Sequence, residues 1–231
     1  MDGLARGRAR GRRLTMLDLT LRRDARQPLQ ILCLGAHSDD IEIGCGGTIL
    51  QLTRAYPAAQ VRWVVLSAED GRRDEALAGA ARFLAGAAKT DVVVGGFRAA
   101  FFPFAGEAIK EYVAQLGSGP DPDVVFTHYR FDRHQDHKLL SDLTWNIFRR
   151  SLILEYEIPK WDGDLGTPNC YVRLPDGVVE EKIRAICETF ASQRAKHWFT
   201  PDTFRALMRL RGVEANAPFA EAFYAHKLAL A

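Results

Sequence analysis

The chain has 231 residues, 47% of them hydrophobic, and a formal net charge of +2. That length suits one sizeable α/β domain, and with no apolar run near ~20 residues a membrane-spanning helix is excluded. The charge is uneven: residues 1–28 hold eight arginines against Asp2, Asp18 and Asp24, a net of +5, which leaves −3 on the rest. A basic arm of this kind could contact nucleic acid, but it has no aromatic side chain to stack on bases. It reads as a flexible, solvated N-terminal arm over 1–28, followed by a single domain over 29–231. No apolar stretch of secretory-signal type opens the chain. Cys33, Cys45, Cys170 and Cys187 show no C-x-x-C spacing, so reduced thiols and a cytoplasmic location are expected.

In chain order, short apolar runs alternate with helical patterns. Strands are predicted over 29–35, 61–67, 91–96 and 123–127, and helices over 46–55, 74–88, 107–117 and 137–150. The strands are rich in Val, Ile and Leu without polar alternation, as in a sheet covered on both faces. The β-α-β-α order predicts a Rossmann-like, three-layer α/β sandwich with a mainly parallel sheet and right-handed crossovers. Residues 155–177 carry Pro159, Gly163, Gly166, Pro168, Pro175 and Gly177, and read as a long ordered loop with room for one short strand. Its aromatics (Tyr156, Trp161 and Tyr171) argue against disorder. It is the best candidate for a specificity lid, with Asp162 or Asp164 able to bind hydroxyls; a loop tied to the core by Trp161 is the equal alternative. Helices over 178–195, 201–211 and 218–229 complete the chain.

Two clusters stand where α/β folds build sites, after apolar strands. Gly35-Ala36-His37-Ser38-Asp39-Asp40 follows Ile31-Leu32-Cys33-Leu34, and His128-Tyr129-Arg130-Phe131-Asp132-Arg133-His134-Gln135-Asp136-His137 follows the fourth strand, so four of the six histidines fall in these two segments. In a tight turn His37 and Asp40 can aim at one point, and an imidazole nitrogen with a carboxylate oxygen suits Zn²⁺ or another borderline divalent ion, one per chain. His137 supplies a third ligand, and three protein ligands leave room for water and substrate. Asp39, facing away from Asp40, is the general base. His134 stabilises an oxyanion and can protonate a leaving amine. Asp136 and Asp132 are candidates to hold His134 or His137 in the right tautomer. Gly44, Gly46 and Gly47 form neither G-x-G-x-x-G nor a Walker loop, and are explained by close backbone approach to the metal loop.

These segments resemble a known family. Ala36-His37-Ser38-Asp39-Asp40, with Glu42, Gly44, Gly46, Gly47 and Thr48, looks like the A-H-P-D-D-x-E-x-G-x-G-G-T signature of the PIG-L/LmbE zinc-dependent N-acetylglucosaminyl deacetylases. Asp132-Arg133-His134-Gln135-Asp136-His137 is similar to the second motif, D-x-H-x-D-H. The resemblance implies His37, Asp40 and His137 as zinc ligands, Asp39 as base, His134 as the oxyanion-stabilising histidine, and Asp136 in the shell around His134 and the metal. It implies an LmbE-like fold and an oligomer, often a hexamer, with loops packed between subunits. A weaker match, Gly71-Arg72-Arg73-Asp74-Glu75, resembles the family's R-x-x-E segment and makes Arg72 a substrate-binding candidate with Glu75 as companion. Ser38 stands in place of the family's proline, and Ser67-Ala68-Glu69-Asp70-Gly71 replaces its T-x-G-E, which affects the substrate pocket rather than the metal.

The expected activity is hydrolysis of the N-acetyl group of an N-acetylglucosaminyl or related amino-sugar conjugate, with release of acetate. A deacylase of the same family acting on a thiol conjugate or natural product is the first alternative. A non-catalytic, metal-stabilised scaffold whose arm binds nucleic acid is the second.

Overall fold

The computed structural model describes residues 18–21, 27–69 and 71–229. Residues 1–17 and 22–26 of the basic arm therefore lie outside the described residues, whereas Asp18 pairs with Arg173 at 2.7 Å and the Leu21 carbonyl accepts the Tyr56 hydroxyl at 2.7 Å. Strand β1 (Gln30–Gly35) runs into helix α1 (Asp40–Ala55); β2 (Gln60–Val65), α2 (Arg72–Phe83), β3 (Lys89–Val94), α3 (Gly106–Leu116), β4 (Val124–His128) and α4 (Gln135–Ile147) continue the alternation. A short 3₁₀ turn, Phe102–Ala105, leads into α3. Then come β5 (Leu152–Tyr156), β6 (Cys170–Arg173), α5 (Asp176–Thr189), α6 (Pro201–Glu214) and β7 (Ala220–Tyr224).

The strands form one seven-stranded sheet in the order β3-β2-β1-β4-β5-β7-β6, parallel from β3 to β5, with β7 antiparallel to both its neighbours. The period-2 alternation of strand side chains divides the core in two. Ile31, Cys33, Val61, Trp63, Val124 and Phe126 pack on the side covered by α1, α2, α5 and α6. Leu32, Leu34, Val64 and Val125 pack on the other, against Ile109 of α3 and Leu140 of α4. This is the three-layer sandwich that the strand–helix alternation predicts. Among the described residues no helix is long and apolar enough to cross a membrane, and all four cysteines are free.

Three expectations need correction. The segment 218–229 is not a helix: Ala220–Tyr224 is β7, slotted between β5 and β6. Phe219 and Phe223 have helical spacing, but strand pairing takes up the backbone groups of this short segment, and tertiary pairing overrides so short a period. Helix α1 begins at Asp40, not at residue 46, so its glycines are helical rather than part of a loop. An added Cβ would lie 2.2 Å from the Tyr156 ring at Gly44, 2.5 Å from Phe83 at Gly46 and 2.9 Å from Glu221 at Gly47. Close packing of α1 on its neighbours therefore explains them. Finally, β5 went unpredicted, because five residues beside a helix end, four of them apolar and one Glu155, carry no period of their own.

The parallel order reverses at β1, which has β2 on one side and β4 on the other. Crevices at such reversals, beyond the carboxyl ends of the strands, are the usual sites of open α/β sheets. His37 follows β1, and the segment from His128 to His137 follows β4.

Candidate metal centre

The turn after β1 is closed by Asp40, whose Oδ2 accepts the His37 backbone N–H at 2.6 Å. That contact brings the imidazole of His37 over the same carboxylate, with Nδ1 3.3 Å from Asp40 Oδ2. His137, in the first turn of α4, completes a triangle: its Nε2 lies 3.1 Å from His37 Nδ1 and 3.5 Å from Asp40 Oδ2. Three ligands at tetrahedral angles and bond lengths of ~2.0–2.1 Å would be separated by about 3.3 Å. The donor set and its spacing therefore fit a divalent ion.

Each imidazole is held in the tautomer a ligand requires. His37 Nε2 donates to Asp136 Oδ2 at 3.1 Å, which leaves Nδ1 as the lone-pair nitrogen. His137 Nδ1 donates to Asp132 Oδ2 at 2.9 Å, which leaves Nε2. Carboxylate-backed histidines of this kind are the common outer shell of metal sites. The charges agree. Burial alone would raise the Asp40 pKa, but His137 and His128 outweigh it and hold the carboxyl well below its usual range. Burial, together with the neighbouring His128, pushes His137 down to about 4. Burial works against a charged His37, yet hydrogen bonds to Asp136 and Asp40 lift it to about 9. The pocket between these carboxylates thus favours a cation, and a bound metal ion would take the place of that proton.

Asp39 is buried at the N-cap of α1 without capping it. Burial raises its pKa despite the guanidinium of Arg72, which donates to Asp39 Oδ1 at 2.8 Å. A carboxylate with raised proton affinity beside a metal site suits a general base. Arg72 reaches the candidate site, where it touches Asp39, the candidate base, directly. Its supposed companion Glu75 instead accepts from the backbone N–H and hydroxyl of Ser192.

His134 stands edge-on to His37 at 4.9 Å and stacks on His137 at 4.5 Å between ring centroids. Its Nδ1 accepts the Asp136 backbone N–H at 3.3 Å, so a neutral ring carries its proton on Nε2, available to donate. Burial and the proximity of His37 lower its pKa. Of the two carboxylates expected to hold His134 or His137, Asp132 holds His137 and Asp136 holds neither ring. Asp136 does not orient His134 through its carboxylate: Oδ2 faces His37 and accepts the Ala100 N–H at 2.6 Å, and Oδ1 accepts the Phe102 N–H at 3.1 Å. Asp132 holds His137, and binds only the backbone N–H of His134, at 2.7 Å.

Sequence reasoning assigned no role to two contributors, although the first of them opens the second cluster. His128, at the end of β4, is fully buried and stacks on His137 with centroids 3.9 Å apart. Its Nε2 lies 3.3 Å from Asp40 Oδ2 and accepts the Ala36 N–H at 3.0 Å, so it backs the ligand set. Its position one residue past the predicted strand was the available signal. Lys160, in the loop after β5, donates to Asp132 Oδ2 at 2.8 Å. That loop is not tied down by Trp161, which is 73% exposed, nor is Asp164 free to bind hydroxyls, since both its oxygens accept from Lys160. His197 is exposed and edge-on to Trp161 at 4.3 Å, and His226 lies 3.3 Å from Glu155; among the described residues neither belongs to a group that could hold a metal ion.

Sequence comparison matches residues 32–148 to the family described as PIG-L: GlcNAc-PI de-N-acetylase. The chain belongs to the PIG-L family. The matched span runs from β1 through α4 and contains both clusters. No curated protein sequence matches significantly. Among solved structures, the chain resembles the N,N'-diacetylchitobiose deacetylase of Pyrococcus horikoshii, with 21% identity over 87% of this chain and 86% of that one and a TM-score of 0.65. It resembles a conserved protein, TT1542, from Thermus thermophilus, with 20% identity over 88% and 97% of the two chains and a TM-score of 0.66. It also resembles GalB, the 4-carboxy-2-hydroxymuconate hydratase from Pseudomonas putida, with 18% identity over 87% and 98% and a TM-score of 0.64. Likeness at these identities establishes the fold. Because the fold hosts both a deacetylase and a hydratase, the reaction must be argued from the site.

Proposed function

We propose that this PIG-L family member is a divalent-metal-dependent hydrolase, with Zn²⁺ as the expected ion, that removes the acetyl group from an N-acetylamino sugar or its conjugate. The reading rests above all on the triangle of His37 Nδ1, Asp40 Oδ2 and His137 Nε2, with edges of 3.1, 3.3 and 3.5 Å, flanked by an unligated carboxylate and an unligated histidine. The family match and the deacetylase among the structural neighbours support it. When bound, the ion lowers the pKa of water toward ~7 and polarises the amide carbonyl.

The residues supply the remaining steps. Asp39 accepts the proton of the attacking water, and Arg72 keeps its carboxylate aimed. His134 Nε2 donates to the oxygen of the amide carbonyl as negative charge gathers there. The proton now on Asp39, or that of His134, passes to the departing amine, so acetate and a free amino sugar leave. Asp136 and Asp132 keep the two ligand imidazoles in their tautomers throughout.

The test is acetate release from a panel of N-acetylamino sugars, sugar nucleotides, thiol glycosides and acylated natural products, with added Zn²⁺ and a chelator control. Chelator-sensitive release from one class is expected and would name the substrate type. A chain that holds one metal ion yet releases no acetate from any of them would refute the proposed reaction.

A further inference from the structure

Lys160 lies on the segment that leaves β5, four residues beyond the end of the strand. Its ammonium group is almost fully buried, with 8% side-chain exposure, and every contact it makes is internal. It donates to Asp132 Oδ2 at 2.8 Å, to Asp164 Oδ1 and Oδ2 at 2.9 and 2.7 Å, and to the Ile158 carbonyl at 3.5 Å. Asp132 Oδ2 is the same oxygen that receives His137 Nδ1. Asp164 in turn accepts the backbone N–H of Arg133 at 2.8 Å, in the segment that carries His134. One lysine thus joins the loop after β5 to the loop after β4, at the oxygen that orients a metal ligand.

The charges make this arrangement conditional on the lysine. Asp132 and Asp164 both present carboxylates to one ammonium, and both side chains are nearly inaccessible, at 2% and 6% exposure. Without a cation between them, two carboxylates in a poorly solvated place repel each other and seek water. Asp132 is the one with more to lose, because its Oδ1 also holds the His134 backbone. Movement of Asp132 releases His137 to rotate, and a rotated imidazole no longer presents Nε2 to the ligand triangle.

We propose that Lys160 is a positioning residue of the metal centre, holding Asp132 on His137 and thereby coupling metal retention to the ordering of the 158–166 loop. The proposal rests on the metal-dependent reading of the site. Coupling of this kind is reciprocal: if the lysine bridge strengthens metal binding, metal binding must equally strengthen the bridge. Loss of an outer-shell partner of a metal-bound histidine typically weakens metal affinity ~10–100-fold.

The experiment measures the Zn²⁺ dissociation constant by competition with a chromophoric chelator, for wild type, Lys160→Met, Lys160→Arg and His137→Ala. Amide hydrogen exchange across residues 158–166 is followed with and without Zn²⁺. Lys160→Met is expected to bind Zn²⁺ ~10–100-fold more weakly, and Lys160→Arg, which keeps the charge and its donors, to recover most of that loss. Zn²⁺ should slow exchange in the loop of wild type and not in that of Lys160→Met. Zinc affinity of Lys160→Met within twofold of wild type would overturn the proposal, as would loop exchange indifferent to Zn²⁺ in wild type. If Lys160→Met does not fold, Lys160→Arg and the wild-type exchange data decide alone. His137→Ala separates the two levels: unchanged zinc binding in that variant would refute the metal site itself, whereas its loss beside an unaffected Lys160→Met refutes only the role of the lysine.

Discussion

Replacing Glu221 by alanine should destabilise the protein far more than any surface change. Glu221 reaches from β7 into α1, where its carboxylate accepts the Gly47 N–H at 2.8 Å, the Thr48 N–H at 2.6 Å and the Thr48 hydroxyl at 2.5 Å. Lys182 of α5 closes the group at 2.6 Å and also donates to the Ile43 carbonyl at 2.6 Å; both charged side chains are 3% exposed. Glu221→Ala removes four of these bonds and leaves a buried ammonium with a single carbonyl. Orphaning one member of a buried pair costs ~3–5 kcal/mol. For a chain of this size each kcal/mol moves Tm by roughly 2–4 °C, so a fall of about 6–20 °C is expected. Lys182→Met leaves the carboxylate with three donors from α1 and should cost less, ~1–3 kcal/mol. Removing both partners should be milder than the sum of the two single changes. Thermal unfolding followed by circular dichroism at fixed pH and metal concentration measures all three. A Glu221→Ala protein melting within about 2 °C of wild type, less than one kcal/mol of the expected loss, or a Lys182→Met protein melting below Glu221→Ala, would refute this account of the buried pair.

Three further outcomes are expected. Asp39→Asn keeps the shape of the side chain but not its proton affinity, so hydrolysis should fall ~10²–10⁴-fold while metal analysis still finds one ion per chain; activity within tenfold of wild type would place the base elsewhere. Zn²⁺ at about a hundred times its dissociation constant should add ~2.7 kcal/mol of stability, seen as a rise in melting temperature in wild type and as none in His37→Ala or His137→Ala. Gly44→Ala pushes a methyl group to 2.2 Å from the fully buried Tyr156 ring, whose hydroxyl is held by the Leu34 carbonyl. Urea unfolding should show a loss of at least ~1–3 kcal/mol, against a change within ~0.5 kcal/mol for Gly96→Ala, where nothing lies within 4 Å of the added carbon.

Four of the five parallel strands, β1 to β4, and the candidate ligands were legible in the sequence, because the residues concerned are local signals. An apolar run followed at once by His37, Asp39 and Asp40 marks a strand end carrying a site, and the Asp132-to-His137 segment repeats the pattern after β4. Each of these clusters sets its own geometry within a single turn. Only folding across the sheet could show which carboxylate serves which histidine. Asp136 is one residue from His137 in the chain and yet holds His37, from the other cluster; Asp132 passes over the nearer His134 ring to hold His137.

The antiparallel end of the sheet was illegible for a related reason. In β7 the stretch Ala220-Glu221-Ala222-Phe223-Tyr224 is buried throughout, so no alternation separated strand from helix, and pairing with β5 and β6 decided the matter. Lys160, Lys182 and Glu221 look in the sequence like charges for the surface. Each is buried only because its partner comes from a distant segment, Asp132 for Lys160 and the α5–β7 contact for Lys182 and Glu221. Chemistry carried by neighbours in the chain was determined by the sequence alone. Chemistry carried by charges that meet across the fold was decided by the tertiary structure, because a charge tolerates burial only where the fold supplies its counter-charge.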